Sequence, residues 1–279
     1  MTMLSINTNV GALQAARSSY SVNKSMEQSM ERLASGKRIN SAADDAAGLA
    51  ISTRLNAEIN GIHQSIRNAS DAQGMLGVAE GALEQVHALL LRMRELAVQS
   101  SNETVTAADR DMLQTEVHQL ETEIQRVVDD TTWAGITLLA GGFTSGATFQ
   151  IGPRNGDTIQ ISISAIEPLS TVALGGLSLV SHISLQPQAQ AYIVNIDNAI
   201  SIISADRAKY GATMNRLDHA MANLQNVATN LAVAKGRLED ADFAAESSNL
   251  ARTQVLQQAS MAMLAQANAS KQNILSLFQ

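Results

Sequence analysis

Acidic side chains cluster at two places in the sequence where they could do chemistry: Asp44-Asp45, and Glu239, Asp240, Asp242 and Glu246. Neighbouring carboxylates can hold a divalent cation or work as a general acid and base. Neither cluster has the frame that such work requires. No glycine-punctuated loop with further ligands follows Asp44-Asp45, and a calcium loop would need glycine near the place where Ala245 stands. The first pair reads as negative charge in a first helical turn, where the helix dipole favours it. The second group reads as a charged face that is solvated or meets another subunit. Histidines 63, 87, 118, 182 and 219 form neither an HExxH motif nor an i,i+4 pair. They read as surface residues. Gly141-Gly142 and Gly146 lack the Gly-Lys-Ser/Thr ending of a phosphate loop and read as a turn. Cysteine is absent, which excludes disulfides, thiolate metal sites and thiol nucleophiles. The expectation is a chain that is not an enzyme, with no catalytic residue, no metal and no cofactor.

Composition narrows the alternatives. Apolar residues make up 45% of the 279, yet aromatics only 3%, so Ala, Leu, Ile, Val and Met must supply the core. A net charge of −7 argues against nucleic acid or an anionic membrane as partner. No apolar run is long enough to span a membrane, so no membrane insertion is expected. The first residues, Met1-Thr-Met-Leu-Ser-Ile, lack the basic and apolar regions of a cleaved secretion signal.

The elements that would position any site are long helices. Positions 196, 200, 203, 207, 210, 214, 217, 221, 224, 228, 231, 235 and 238 follow an unbroken 4,3 spacing, apolar except at Arg207 and Lys235. That is a coiled-coil seam. A second seam runs from Leu55 to Ala69 and resumes from Ala72 to Ala97, with a phase shift between. A third covers Leu113, Val117, Leu120, Ile124 and Val127. The fold class expected is mainly α: a long antiparallel helical bundle or coiled coil. A small β-hairpin is expected near 147–166, where Phe149 and Ile151 alternate, as do Ile159, Ile161 and Ile163, around Asn155-Gly156. Methionines such as Met214, Met221, Met261 and Met263 read as core fillers at helical spacing.

The two ends differ from the middle. Ile6, Val10 and Leu13 share a seam, then Met26, Met30 and Leu33. Near the C-terminus one register holds Leu256, Ser260, Met263, Ala267, Ser270, Ile274 and Leu277. From Thr253 to Gln279 the only charged side chain is Lys271. A solvated helix normally carries many charges. Two readings are open: the ends dock as ordinary helices on the central bundle, or they are ordered by assembly with other copies. Between the ends and the middle, Gly36 is a candidate helix stop and Asn40 or Ser41 a candidate N-cap.

These residues carry a resemblance. Ser5-Ile-Asn-Thr-Asn9, Arg32-Leu-Ala-Ser-Gly36 running on to Ile51, Ala79-Glu-Gly-Ala-Leu83 and Met93-Arg-Glu-Leu-Ala-Val-Gln99 resemble the N-terminal blocks of bacterial flagellins. Arg237-Leu-Glu-Asp-Ala-Asp-Phe243, Gln257-Gln-Ala-Ser260, Leu264-Ala-Gln-Ala-Asn268 and Asn273-Ile-Leu-Ser-Leu277 resemble the C-terminal ones. The resemblance implies a filament subunit of the minimal form, without large outer domains. It divides the chain into residues 1–44 and 240–279, which pair as an inner coiled coil, and residues 45–239, a helical rod with the hairpin. It implies a helical homo-oligomer outside the cell, reached through the flagellar type III export apparatus. It also implies flagellar junction and cap proteins and an export chaperone as partners. A hook-filament junction protein with similar ends is the alternative. The segment Leu90–Leu96 further resembles the patch that docks on the flagellin-sensing Toll-like receptor, with Leu91, Arg92, Leu96 and Glu116 at matching positions.

Overall fold

The computed structural model describes residues 8–166 and 183–276, with side chains as far as Ser270. Five helices carry the fold: α1 (Val10–Ser35), α2 (Ala46–Ser100), α3 (Ala107–Asp130), α4 (Gln186–Glu239) and α5 (Phe243–Ser276). Between α3 and α4 lie four short strands, β1 (Thr132–Trp133), β2 (Ile136–Thr137), β3 (Ala147–Gln150) and β4 (Thr158–Ile161). The chain separates into two compact units. One takes the residues up to Ala57 and those from Asn230 on; the other is Glu58–Thr229.

The Glu58–Thr229 unit is an antiparallel bundle. Across α2 and α4, Arg94 meets Asp197 at 2.6 Å, Glu80 meets Arg207 at 2.6 Å and Gln73 meets Asp218 at 2.9 Å. One number falls as the other rises, so the helices run in opposite directions. The turn at 101–106 reverses the chain again. Thr106 caps α3 in a reciprocal capping box with Asp109, and Arg92 reaches Glu116 at 2.7 Å.

The 4,3 spacing did what its physics requires. Every position of the α2, α3 and α4 seams is buried or half-buried. Met75, Leu76, Leu83, Leu90 and Met93 on α2 close over Ile196, Ile203 and Leu217 on α4. The α4 seam is wider than the sequence pattern suggested. A second stripe, Ala189, Tyr192, Ala199 and Asp206, is buried beside it, so this stretch packs on more than one neighbour. Tyr192 donates its hydroxyl to Glu121 at 3.0 Å, and burial raises its pKa further than that carboxylate does. Burial beside Asp206 likewise pushes Tyr210 up to about 12.

The hairpin forms where the alternation places it. β3 and β4 pair antiparallel from Ala147↔Ile161 to Gln150↔Thr158, and Ile159, Ile161 and Ile163 are buried. Its connection is longer than a two-residue turn. It spans 151–157 and closes with an Asp157 N–H to Arg154 carbonyl bond at 3.2 Å. A second, smaller hairpin, β1–β2, turns at Ala134 and Gly135, both at positive φ. That is the type I′ geometry, reached here with a dipeptide less diagnostic than Asn-Gly.

Candidate assembly interface

The helices of the other unit are broken at matching levels. α1 stops at Ser35 because Gly36 takes φ +70°, the left-handed region open to glycine. The carboxylate of Asp44 then accepts the N–H groups of Asn40 at 3.1 Å and Ser41 at 2.9 Å. Those two bonds, the Ser41 one foremost, hold Asp44 below its ordinary pKa. The N-cap of α2 is Asp45, not Asn40 or Ser41: the helix begins at Ala46, and the Asp45 carboxylate accepts the Gly48 N–H at 2.8 Å. On the returning side α4 ends at Glu239, and Asp242 caps α5 by accepting from Ala244 and Ala245.

Backbone bonds tie the two breaks together. Arg38 N–H donates to the Glu239 carbonyl at 2.6 Å, and Ala241 N–H to the Gly36 carbonyl at 3.0 Å. The Arg38 guanidinium adds a bond to the Leu238 carbonyl at 2.8 Å. Beneath them the Glu239 carboxylate is buried, with Lys37 at 3.4 Å and Lys235 at 3.8 Å. Burial by itself would raise its pKa. The Ser52 hydroxyl, Lys37 and Lys235 together outweigh that and hold it below the ordinary 4.5. Glu246 is buried too, 3.8 Å from Arg32. At Glu239 and Glu246, then, the acidic cluster is not a solvated face but a set of internal pairs. Among the described residues no group of three potential ligands could hold a metal ion.

From these breaks α1 and α5 run side by side and antiparallel. Gln257 donates to Asn23 at 2.9 Å, and farther along Asn9 donates to the Ala267 carbonyl at 3.1 Å. The buried and half-buried positions centre on Ala12, Ala15, Ser19, Val22, Met26, Ser29 and Leu33 on α1, with Asn23, Gln28 and Arg32 half-buried at the edges. On α5 they centre on Glu246, Leu250, Thr253, Gln257, Ser260, Leu264 and Ala267, with Asn249 half-buried at the edge. Both sets alternate threes and fours, the coiled-coil spacing. Most members are small or polar, so the backbones approach closely, with Cα atoms within 8 Å.

Val22, Met26, Leu33, Leu250 and Leu264 turn into this seam, but other large apolar side chains face away from it. Val10 is 62% exposed, Leu256 46% and Met263 64%, and Leu13 and Met30 are exposed as well. Of the residues the sequence put forward for assembly, only Met26, Leu33 and Ala267 lie in the intrachain seam. Ile6 and Leu277 lie outside the described residues, as does the side chain of Ile274. Around α5, at ~100° per residue, exposed Val255, Leu256, Met261 and Met263 point in several directions. Along one side of the pair, Leu256 and Met263 border an apolar groove of about 570 Å³, lined also by Gly11, Gln14, Ser18, Ala259 and Gln266 among others. Of the seam serines only Ser260 stands in a register read from the sequence; Ser19 and Ser29 escape apolar periodicity, and their place in the 3,4 spacing of the α1 seam was the available signal.

On the Glu58–Thr229 unit, Leu91 and Arg92 stand at the surface, with Arg92 bridging Glu116 and Glu95. Leu96 is different. It is 1% exposed and belongs to the bundle core, so it drops out of any surface patch.

The comparisons agree with this architecture. The profile of the bacterial flagellin N-terminal helical region matches residues 6–144, and that of the C-terminal helical region matches residues 193–278. Only residues 145–192 lie between them, which leaves no room for a large variable domain. A flagellin of Halalkalibacterium halodurans is 41% identical over 276 residues, covering 98% of this chain and 99% of its own. The crystal structure of Bacillus cereus flagellin superposes with a TM-score of 0.50 at 32% identity, over 61% of this chain and 94% of that one. A structure assigned to a flagellar hook-associated protein of Vibrio parahaemolyticus gives 0.62 over 71% of this chain and all of that one. At 19% identity that likeness shows the fold alone.

The junction makes the helix pair sensitive to acid. A carboxylate whose folded pKa is lowered stabilises the fold above its unfolded pKa, and the contribution is lost as pH falls through the folded value. Glu239 and Asp44 are both lowered, so α1 and α5 should hold at neutral pH and loosen below about 4. Limited proteolysis across pH 7 to 3 checks this: cleavage within α1 and α5 should rise before cleavage within residues 58–229. Glu239→Gln should flatten that rise, and an unchanged profile would remove Glu239 from the account.

Proposed function

The chain belongs to the bacterial flagellin family, a family of structural proteins whose copies polymerise into the extracellular flagellar filament, and from that premise we propose that the α1–α5 pair drives this polymerisation. One observation supports the reading above the rest. α5 carries apolar side chains round most of its circumference but has one partner helix. A helix of that kind is stable when surrounded, and other copies of the same chain supply the surroundings. Each exposed Leu or Met covered by a neighbour contributes about 1.5–3 kcal/mol. Residues 1–44 and 240–279 are the assembly core in this reading, and residues 45–239 the rod that it carries.

The same reading brings further partners. Before export through the flagellar type III apparatus, a chaperone covers α5, whose apolar sides are otherwise an aggregation hazard. Outside, copies add beneath the cap and above the junction proteins. A flagellin-sensing Toll-like receptor docks on the exposed patch of Leu91, Arg92 and Glu116. A hook-filament junction role has no better support than the filament role.

Removal of residues 240–279 should abolish polymerisation while the Glu58–Thr229 core still unfolds cooperatively by circular dichroism. Leu256→Glu is the finer test. A charge in the groove should raise the concentration needed for polymerisation by about tenfold or more, read by sedimentation and electron microscopy. Filaments from either variant at wild-type concentration would refute the assembly reading. For the receptor, Arg92→Ala should lower the signal of reporter cells given monomer, and an unchanged signal would reject the patch.

A further inference from the structure

Among the described residues the methionines range from fully buried to exposed. Met75 and Met93 are fully buried in the bundle core. On α5, Met261 is 56% exposed and Met263 64%, on either side of the buried Ser260. Met263 lines the apolar groove, and the Met261 sulfur accepts from the Ser19 hydroxyl of α1 at 4.0 Å. Thioethers so placed are open to oxidants in the free chain, and oxidation turns a flexible apolar side chain into a polar, chiral sulfoxide. Leucine would fill the same volume without that liability.

We propose that Met263 is a peroxide-sensitive modification site that blocks the copy carrying it from joining a filament, with Met261, exposed on another side of the same helix, as a second target. This rests on the groove's role in assembly. The step is a two-electron oxygen transfer. The thioether sulfur attacks one oxygen of hydrogen peroxide and the O–O bond breaks. A sulfur–oxygen bond forms, and the other oxygen leaves as water with both protons. Sulfur is oxidised and peroxide reduced, so no further reactant is needed. The sulfoxide places a strongly hydrated oxygen in a groove whose wall is mostly apolar, with Gln14, Ser18 and Gln266 among its polar members, and stripping that hydration when a neighbour covers the groove opposes association. Once a copy has assembled, the groove is filled and the same sulfur is shielded. The site therefore acts on subunits before addition and spares the finished filament.

The test uses the full chain, hydrogen peroxide and peptide mass spectrometry. On the free protein, oxygen should appear at Met261 and Met263 well before Met75 and Met93, and more slowly at Met263 in filaments. Polymer yield of the oxidised protein should fall roughly tenfold. The M261L/M263L variant should keep its yield after the same treatment. Met112, exposed on α3, still takes up oxygen in that variant and serves as the control. Treatment of the oxidised wild type with methionine sulfoxide reductases of both stereospecificities should restore assembly, which decides the matter even if the double variant polymerises poorly. An oxidised Met263 with unchanged yield, an equal loss in M261L/M263L, or no recovery on reduction would overturn the proposal. Failure of the assembly reading itself shows separately, as unoxidised Leu256→Glu polymerising like the wild type.

Discussion

A pair of helices has one internal seam, and whatever does not fit into it faces water. That constraint governs the α1–α5 part of this molecule. In the Glu58–Thr229 unit, three helices and a hairpin enclose Leu83, Leu90 and Met93 on all sides, and the core is complete within the chain. α1 and α5 have only each other. Their seam is narrow, and Val10, Leu13, Leu256 and Met263 remain outside it. Ordering each residue costs about 1–2 kcal/mol, and one thin stripe in which Val22, Met26, Leu33, Leu250 and Leu264 alternate with small and polar residues returns little against that. In the proposed reading the helix pair is half of an interface that further copies finish.

The choice of side chains follows from two different demands on the same helices. Inside the pair, Ser19, Ser29, Thr253 and Ser260 let the backbones come close. The Thr253 and Ser260 hydroxyls donate within α5, to the Leu250 carbonyl at 2.9 Å and the Gln257 carbonyl at 3.0 Å, and Ser19 reaches the Met261 sulfur across the pair. Outside it, other bulky residues are kept for neighbours. What holds the pair before any neighbour arrives is the junction at its base. There, Gly36 and Asp242 end one helix and begin another, while Arg38 and Ala241 tie the breaks through the backbone. The buried Glu239 gives this joint its charge balance with Lys37 and Lys235.

Much of this was legible in the sequence, for identifiable reasons. The α4 seam could be counted because large apolar side chains repeat there without a break, and the hairpin because isoleucines alternate around Asn155-Gly156. The resemblance to flagellins rested on long blocks at both ends, and the family matches span the same regions. Three features were hidden. The α1–α5 seam uses mostly small and polar residues, which apolar periodicity does not register. The β1–β2 turn uses Ala134-Gly135, where a positive φ at alanine carries no sequence mark. Leu96 falls within a segment otherwise rich in surface residues, and its place in the core is set by α3 and α4, far away in sequence. The burial of Glu239 was equally out of reach, since its partner Lys37 stands on the other side of the chain's two long excursions.

Amide hydrogen exchange on free and assembled protein tests the central claim most directly. The account predicts that in dilute solution the amides of α1 and of residues 243–270 exchange orders of magnitude faster than those of residues 62–97, and that all of them become protected in the filament. Free protein in which α5 is already as protected as the middle of α2 would contradict it.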